Sequence, residues 1–169
     1  MSIKQTMTHL EKLTAKIIER SDVAQLADSL RAAKKTIVFT NGCFDIVHRG
    51  HIEYLAKAAD LGDYLFIGLN SDDSVRRLKG ASRPVNNQIA RTLSLAAFQF
   101  TGFVSVFDED TPYELIKLVR PDILVKGSDY QPEQIVGYDI VTAYGGKVCT
   151  VELTDGYSTT ELIRKINQT

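Results

Sequence analysis

Residues 36–51 read Thr36-Ile37-Val38-Phe39-Thr40-Asn41-Gly42-Cys43-Phe44-Asp45-Ile46-Val47-His48-Arg49-Gly50-His51. The first five are β-branched or aromatic and too few for a helix, and they stop at Asn41-Gly42, as a buried strand does on entering a tight loop. Downstream, Ile52, Leu55, Ala56 and Ala59 recur at i, i+3, i+4 and i+7, which predicts an amphipathic helix from about His48 to Leu61, ended by Gly62. Tyr64 to Leu69 is the next apolar strand. A strand, a helix and a strand within about 35 residues make a parallel βαβ unit with a right-handed crossover.

The alternation runs on to the end of the chain. Ile89, Leu93, Ala96 and Phe100 mark a helix, Phe103 to Phe107 a strand, Pro112 to Arg120 a helix opened by Thr111, and Ile123 to Val125 another strand. Pro132 to Tyr144 reads as a helix closed by Gly145-Gly146, Lys147 to Leu153 as a fifth strand, and Ser158 to Asn167 as a last helix. Ahead of the first strand, residues 7–33 are predicted helical with a break near Ser21. Leu10, Leu13 and Ile17 form one stripe there, Val23, Leu26 and Leu30 another, and Asp22 with Gln25 offers a capping box. The expected fold is α/β, a Rossmann-like, doubly wound, parallel five-stranded sheet formed by residues 35–169, with residues 1–34 as an N-terminal helical extension. Ligands are expected at the carboxyl ends of the strands.

Bulk properties narrow the function. The chain has 169 residues, 44% of them hydrophobic, which is the size of one domain able to bury its own core. Twenty Lys and Arg stand against 21 Asp and Glu, so there is no basic field to attract a nucleic-acid polymer, and any phosphate must be gripped locally. Cys43 and Cys149 are far apart and lack the spacing of a disulfide framework or zinc knuckle. No apolar run approaches the ~20 residues of a membrane span, and the amino terminus lacks a secretory pattern, so a cytoplasmic protein is expected.

The chemistry is concentrated where the first strand hands over to the first helix. Gly42 lets backbone approach a ligand closely, and a helix amino terminus offers unpaired N–H groups suited to phosphate. His48 and His51, at i and i+3, fall on one face of the predicted helix, and Gly50 between them leaves room for a flat group such as a base. A zinc site would need further ligands; His9 is the only other histidine and neither cysteine sits at ligand spacing, so no metal site is expected in the protein itself. Asp45 alone reads as a helix or loop cap as readily as a functional group.

The pattern Gly42-x-Phe44-Asp45-x-x-His48-x-Gly50-His51 resembles the first signature of the nucleotidyltransferase superfamily that includes glycerol-phosphate cytidylyltransferase and pantetheine-phosphate adenylyltransferase. Ser158-Thr159-Thr160, opening the last helix, resembles its second. Within that superfamily the chain is similar, from about residue 35 to 167, to D-glycero-β-D-manno-heptose 1-phosphate adenylyltransferases. That likeness rests on Phe39 to Asp45, Gly68-Leu69-Asn70-Ser71-Asp72, Leu78-Lys79-Gly80, Arg83-Pro84-Val85-Asn86, Asp110-Thr111-Pro112 and Leu124-Val125-Lys126-Gly127-Ser128-Asp129-Tyr130. The chain departs from the family pattern at Ser128, where a second glycine is common, and at Asn87-Gln88-Ile89-Ala90; Arg91 keeps a basic position five residues beyond Asn86.

The resemblance implies transfer of AMP from ATP to heptose 1-phosphate, giving ADP-heptose and pyrophosphate. It implies His48, His51 and Lys79 as catalytic residues. Asn41, Gly42, Cys43, Phe44, Gly50, Lys126, Gly127, Asp129, Ser158, Thr159 and Thr160 would join the two histidines in holding the nucleotide, and Asp45, Lys79, Arg83 and Asn86 would face the sugar phosphate. Mg²⁺ is expected to arrive with ATP, a homodimer is expected as in related enzymes, and no kinase half is recognised, so another protein is expected to supply the acceptor. The alternatives are a glycerol-phosphate, flavin or pantetheine enzyme of the same superfamily, or a nucleotide-sensing module without catalysis.

Overall fold

The β-branched run after Thr36 has no polar face, so it can only be extended and buried on both sides. In the computed structural model of the chain, which describes residues 7–154 and 156–168, it forms β1 (Ile37–Gly42), the middle strand of a sheet. The others are β2 (Tyr64–Asn70), β3 (Thr101–Phe107), β4 (Ile123–Gly127) and β5 (Lys147–Val151). Among the described residues the order is β3-β2-β1-β4-β5, and every neighbouring pair is parallel. The chain steps outward from β1 through β2 to β3, then returns to the other side of β1 for β4 and β5. That reversal leaves a crevice between the carboxyl ends of β1 and β4, the topological switch point of an open α/β sheet.

Eight α-helices flank the sheet among the described residues: α1 (His9–Thr14), α2 (Val23–Ala32), α3 (Arg49–Ala59), α4 (Asp72–Lys79), α5 (Gln88–Ala96), α6 (Tyr113–Val119), α7 (Tyr138–Ala143) and α8 (Thr159–Ile166). The alternation of β1 feeds two cores. Ile37 and Phe39 pack with Val23, Ala27 and Leu30 of α2, Leu115, Ile116 and Val119 of α6 and Val141 of α7. Val38 packs on the other face with Tyr54, Leu55 and Ala58 of α3 and Leu95 and Ala96 of α5. Among the described residues, no helix is long and apolar enough to cross a membrane.

The structure departs from the sequence reading in four places. The first six residues of the expected extension lie outside the described residues. After them α1 ends at Thr14, and Lys16 to Ile18 run extended along β3, with the Ile18 and Val104 amides donating to Val104 and Lys16 carbonyls at 2.8 Å. Ile17 thus belongs to a sheet edge and not to a helical stripe, and it blunts that edge. Asp22 makes no side-chain cap; the capping box is Thr8 with Glu11.

Residues 132–144 are not one helix. A 3-10 turn (Pro132–Gln134) leads through buried Ile135 to Gly137 at φ 92°, before α7. A Cβ on Gly137 would lie 2.6 Å from Ile116, so close packing on α6 requires the break. The predicted α5 stripe is rotated: Ile89 is 71% exposed, Phe100 lies beyond the helix, and the inward residues are Arg91, Thr92, Leu95 and Ala96. Finally, α4 had no counterpart in the sequence reading, because Val75 is its one buried apolar side chain.

Candidate active site

Most of what the sequence singled out lies about the carboxyl end of the sheet. Asn41 and Gly42 finish β1 there, and Lys126 and Gly127 finish β4. The Lys126 amine donates to the Asn41 carbonyl at 3.1 Å, bridging the two strands where they part. Burial brings its pKa down to about 8, against the opposing pull of Cys43 and Asp129. Among the described residues, Asn41 Oδ1 is buried without a hydrogen-bond partner.

Past β1, Phe44 turns the chain with φ 42° and folds its ring back to 2.9 Å from where a Gly42 Cβ would stand, so Gly42 is needed by the loop itself. The loop ends at His48, which is the N-cap of α3 and not part of it, with extended backbone at φ −137°. Its Nδ1 accepts the His51 backbone N–H at 3.4 Å. A neutral imidazole accepting at Nδ1 carries its proton on Nε2, which makes Nε2–H a donor. The His48 and His51 rings stack with centroids 3.8 Å apart and 22° between planes, and Phe44 meets His51 edge-on at 5.3 Å. Burial, and next the charge His48 would carry, push the His51 pKa down to about 4, with the Ile46 backbone working the other way. Burial lowers His48 as well. Two neutral imidazoles therefore wait at a helix amino terminus, where an anion is favoured.

The space beside Gly50 is taken by protein. A Cβ there would meet the His48 ring at 3.2 Å and Tyr157 Cβ at 3.3 Å, so glycine makes room for these groups where the sequence suggested a base. Tyr157 is fastened in turn by Arg49, whose guanidinium lies 5.4 Å from the ring centroid and reaches the hydroxyl at 3.4 Å. Glu53 bonds Thr154, and the Lys57 amine donates to the Glu152 carbonyl at 3.3 Å. These ties carry the chain into Ser158, whose Oγ caps α8 by accepting Glu161 N–H at 3.1 Å, with Thr159 and Thr160 in the first turn. Gly127 is tight for a similar reason: a Cβ would stand 2.5 Å from the Asp129 carboxylate. Tyr130 is half-exposed with the Lys126 amine 6.0 Å from its ring centroid.

Asp45 is 2% exposed, and its carboxylate is fully engaged with the next loop. It accepts Val85 N–H at 2.8 and 2.9 Å, Asn86 N–H at 2.9 Å and Arg83 Nε at 2.5 Å, while Asn86 Nδ2 donates to its carbonyl at 2.8 Å. Burial alone would raise its pKa; the Asn86 and Val85 amides and Arg83 outweigh that and hold it below the usual carboxylate range. Asp45, Arg83 and Asn86 are thus one clamp. Lys79 stands apart, exposed at the end of α4, close enough that its charge, like those of Arg91 and Arg83, opposes the rise that burial imposes on the Cys43 thiol. A thiol with a raised pKa stays protonated and is a poor nucleophile.

Arg91 was read only as a basic position. It is 1% exposed, and its guanidinium serves Cys43, Asn86 and Asp72. Its charge gave no hint of burial, although a polar residue between Ala90 and Thr92 on the inward face of α5 was the available signal. Tyr157 is legible in sequence only as the residue ahead of the Ser158-Thr159-Thr160 turn, and Tyr54 carries no sequence signal of its role. The Tyr54 hydroxyl, buried under the crevice, is 2.7 Å from Thr40 Oγ1 and 3.1 Å from the Val125 carbonyl, tying α3 to β1 and β4.

Residues 39–165 match the family described as cytidylyltransferase-like. Over 158 residues the chain is 52% identical to the bifunctional protein HldE of Syntrophotalea carbinolica, covering 94% of this chain and 32% of that protein. Over 137 residues it is 58% identical to the bifunctional protein HldE of Campylobacter jejuni subsp. jejuni serotype O:2, covering 81% and 29%. The chain therefore spans about a third of the length of these relatives. Among solved structures, the lipopolysaccharide core biosynthesis protein from Thermoplasma volcanium is similar with a TM-score of 0.57 at 25% identity, covering 73% of this chain and 99% of that one.

Proposed function

The chain belongs to the cytidylyltransferase-like family and is a nucleotidyltransferase, and from that premise we propose that it joins AMP from ATP to D-glycero-β-D-manno-heptose 1-phosphate, releasing pyrophosphate. The observation that carries this reading is the pair of stacked, neutral histidines at the start of α3, beside the crevice between β1 and β4. An attacking sugar phosphate is already an anion and has no proton to lose. The protein's task is to overcome charge repulsion and to stabilise a crowded α-phosphorus, which is work for donors aimed at developing charge.

In this reading Nε2–H of His48 and the His51 ring bond the α- and β-phosphates. The amides of Asn41 to Phe44 line the triphosphate, and the turn at Ser158 to Thr160 holds its far end. Lys126, Gly127 and Asp129 border the nucleoside, while Arg83 and Asn86, held by Asp45, and Lys79 at the rim face the sugar phosphate. Among the described residues no group of three or more His, Cys, Asp or Glu converges to hold a metal ion, so Mg²⁺ would be carried in by triphosphate oxygens. The protonated Cys43 thiol and the absence of any demand for a base both support direct in-line attack without a covalent enzyme intermediate.

The acceptor follows from the resemblance at Leu78-Lys79-Gly80, Arg83 to Asn86 and Val125 to Tyr130. The family's description favours CTP as a second reading. Pyrophosphate release measured for ATP and CTP, each with heptose 1-phosphate and with glycerol phosphate, tests the proposal. ATP with heptose 1-phosphate is the expected best pair. Equal or better turnover with CTP and glycerol phosphate overturns the acceptor and base, and binding without release for every pair would leave a nucleotide sensor.

A further inference from the structure

We infer that Arg91 is a positioning residue that couples the two substrate loops, so that nucleotide and acceptor each bind more tightly when the other is present. The inference rests on the reading of Asn41 to Phe44 as the nucleotide side and Arg83 to Asn86 as the acceptor side. The Arg91 side chain is completely buried. Anchoring α5 does not require a charge, since Leu95 and Ala96 on the same helix already pack into the core. What the guanidinium supplies is a rigid fork of donors, and each arm goes to a different segment. Nε donates to the Asn86 carbonyl at 3.1 Å, one terminal nitrogen to the Cys43 carbonyl at 2.7 Å, and the other to Asp72 Oδ1 at 2.8 Å.

Cys43 lies in the loop between β1 and α3, Asn86 in the loop ahead of α5, and Asp72 in the first turn of α4, the helix that ends at Lys79. Asp45 ties the first two loops a second time through the Val85 and Asn86 amides. Two carbonyls held by one planar group cannot separate without leaving buried donors unpaired. A ligand that orders the Cys43 loop therefore also fixes the Asn86 loop, and the reverse must hold to the same degree because linkage of binding is reciprocal.

The test is calorimetric titration of the full chain with α,β-methylene-ATP and with heptose 1-phosphate, each alone and in the presence of the other. In the wild type each ligand is expected to tighten the other by the same factor, about 5- to 150-fold for coupled sites. Arg91→Lys keeps the charge but not the fork. Asp72→Asn, at a side chain 27% exposed, removes the counter-charge of the third arm but keeps an acceptor oxygen there and leaves both carbonyl arms in place. Arg91→Lys is expected to lower the mutual tightening several-fold while keeping affinity for α,β-methylene-ATP alone within a few-fold, and Asp72→Asn, which keeps both carbonyl arms, is expected to retain it. A merely structural arginine would lower thermal stability and leave the coupling factor unchanged in Arg91→Lys, which overturns the inference; a loss in Asp72→Asn as large as in Arg91→Lys would trace the coupling to charge and not to the shared carbonyls, and overturns it too. Independent binding of both ligands to the wild type also overturns it, and leaves the substrate assignment intact. Failure of either ligand to bind the wild type removes that assignment and the inference with it.

Discussion

The donor role proposed for His48 and His51 rests on geometry and charge state together. Their rings stack at 3.8 Å, an arrangement that two imidazolium ions would oppose, and burial keeps His51 neutral down to about pH 4. Replacing either by Ala is expected to remove a donor from developing charge, costing about 3 kcal/mol or roughly 10² to 10³ in kcat. Asn or Gln, which retain an N–H, should recover part of that loss. If the amide variants are as inactive as the Ala variants, a donor role is untenable. With Lys126 at the nucleotide, as proposed, this lysine is expected to set the alkaline limit: burial brings its pKa down to about 8, so its charge is present below that pH and disappears as pH rises through it. The profile of kcat/KM for ATP, which reports the free enzyme, is expected to fall above about pH 8, and Lys126→Arg should shift the decline to higher pH. A profile unchanged in Lys126→Arg would remove this lysine from the nucleotide site.

The elements explain why these side chains meet. The i, i+3 spacing at His48 and His51 was legible, and so were β1, α3 and β2, because a short β-branched apolar run followed by a period near 3.6 is decided by few residues. Less legible was α4. It lacks an apolar stripe, and its signals are an N-cap at Ser71, two acidic residues in the first turn and Gly80 after the last. Tertiary pairing was invisible in the same way: Ile17 fits a helix stripe locally, and only the presence of the β3 edge makes it a bridge. Of the site, the motif residues were legible from their pattern, whereas Arg91 and Tyr157 act through segments distant in sequence. The Gly50 contact gives a test at this scale. Gly50→Ala places a methyl 3.2 Å from the His48 ring and 3.3 Å from Tyr157, so the ring must shift. A displacement of about 1 Å costs up to ~10² in rate, and the shift needed here is a fraction of that. Activity is expected to fall several-fold while the melting temperature changes by only a few degrees. Wild-type kcat in Gly50→Ala would contradict the packing account of this glycine.

At the scale of the molecule, the loops after β1 and ahead of α5 and the α3 and α8 termini gather at the carboxyl end of one sheet, and apolar side chains remain exposed elsewhere on the helices. Leu10 and Ile89 are 62% and 71% exposed, and Ile89 borders a cleft of about 330 Å³ lined also by Ile17, Ile18 and Leu93. A second copy would cover such surface, and light scattering at tens of micromolar, a rough working range, is expected to give twice the mass of one chain; a monomer would refute the dimer. The proposed function makes the site a set of donors around a phosphorus attacked directly, with no nucleophile supplied by the protein. The stereochemistry at the α-phosphorus tests this most directly, using ATPαS of defined configuration with heptose 1-phosphate and reading the thiophosphoryl product by phosphorus NMR. One in-line displacement predicts inversion. Retention would require two displacements through a covalent enzyme intermediate and would contradict the donor role assigned to His48 and His51.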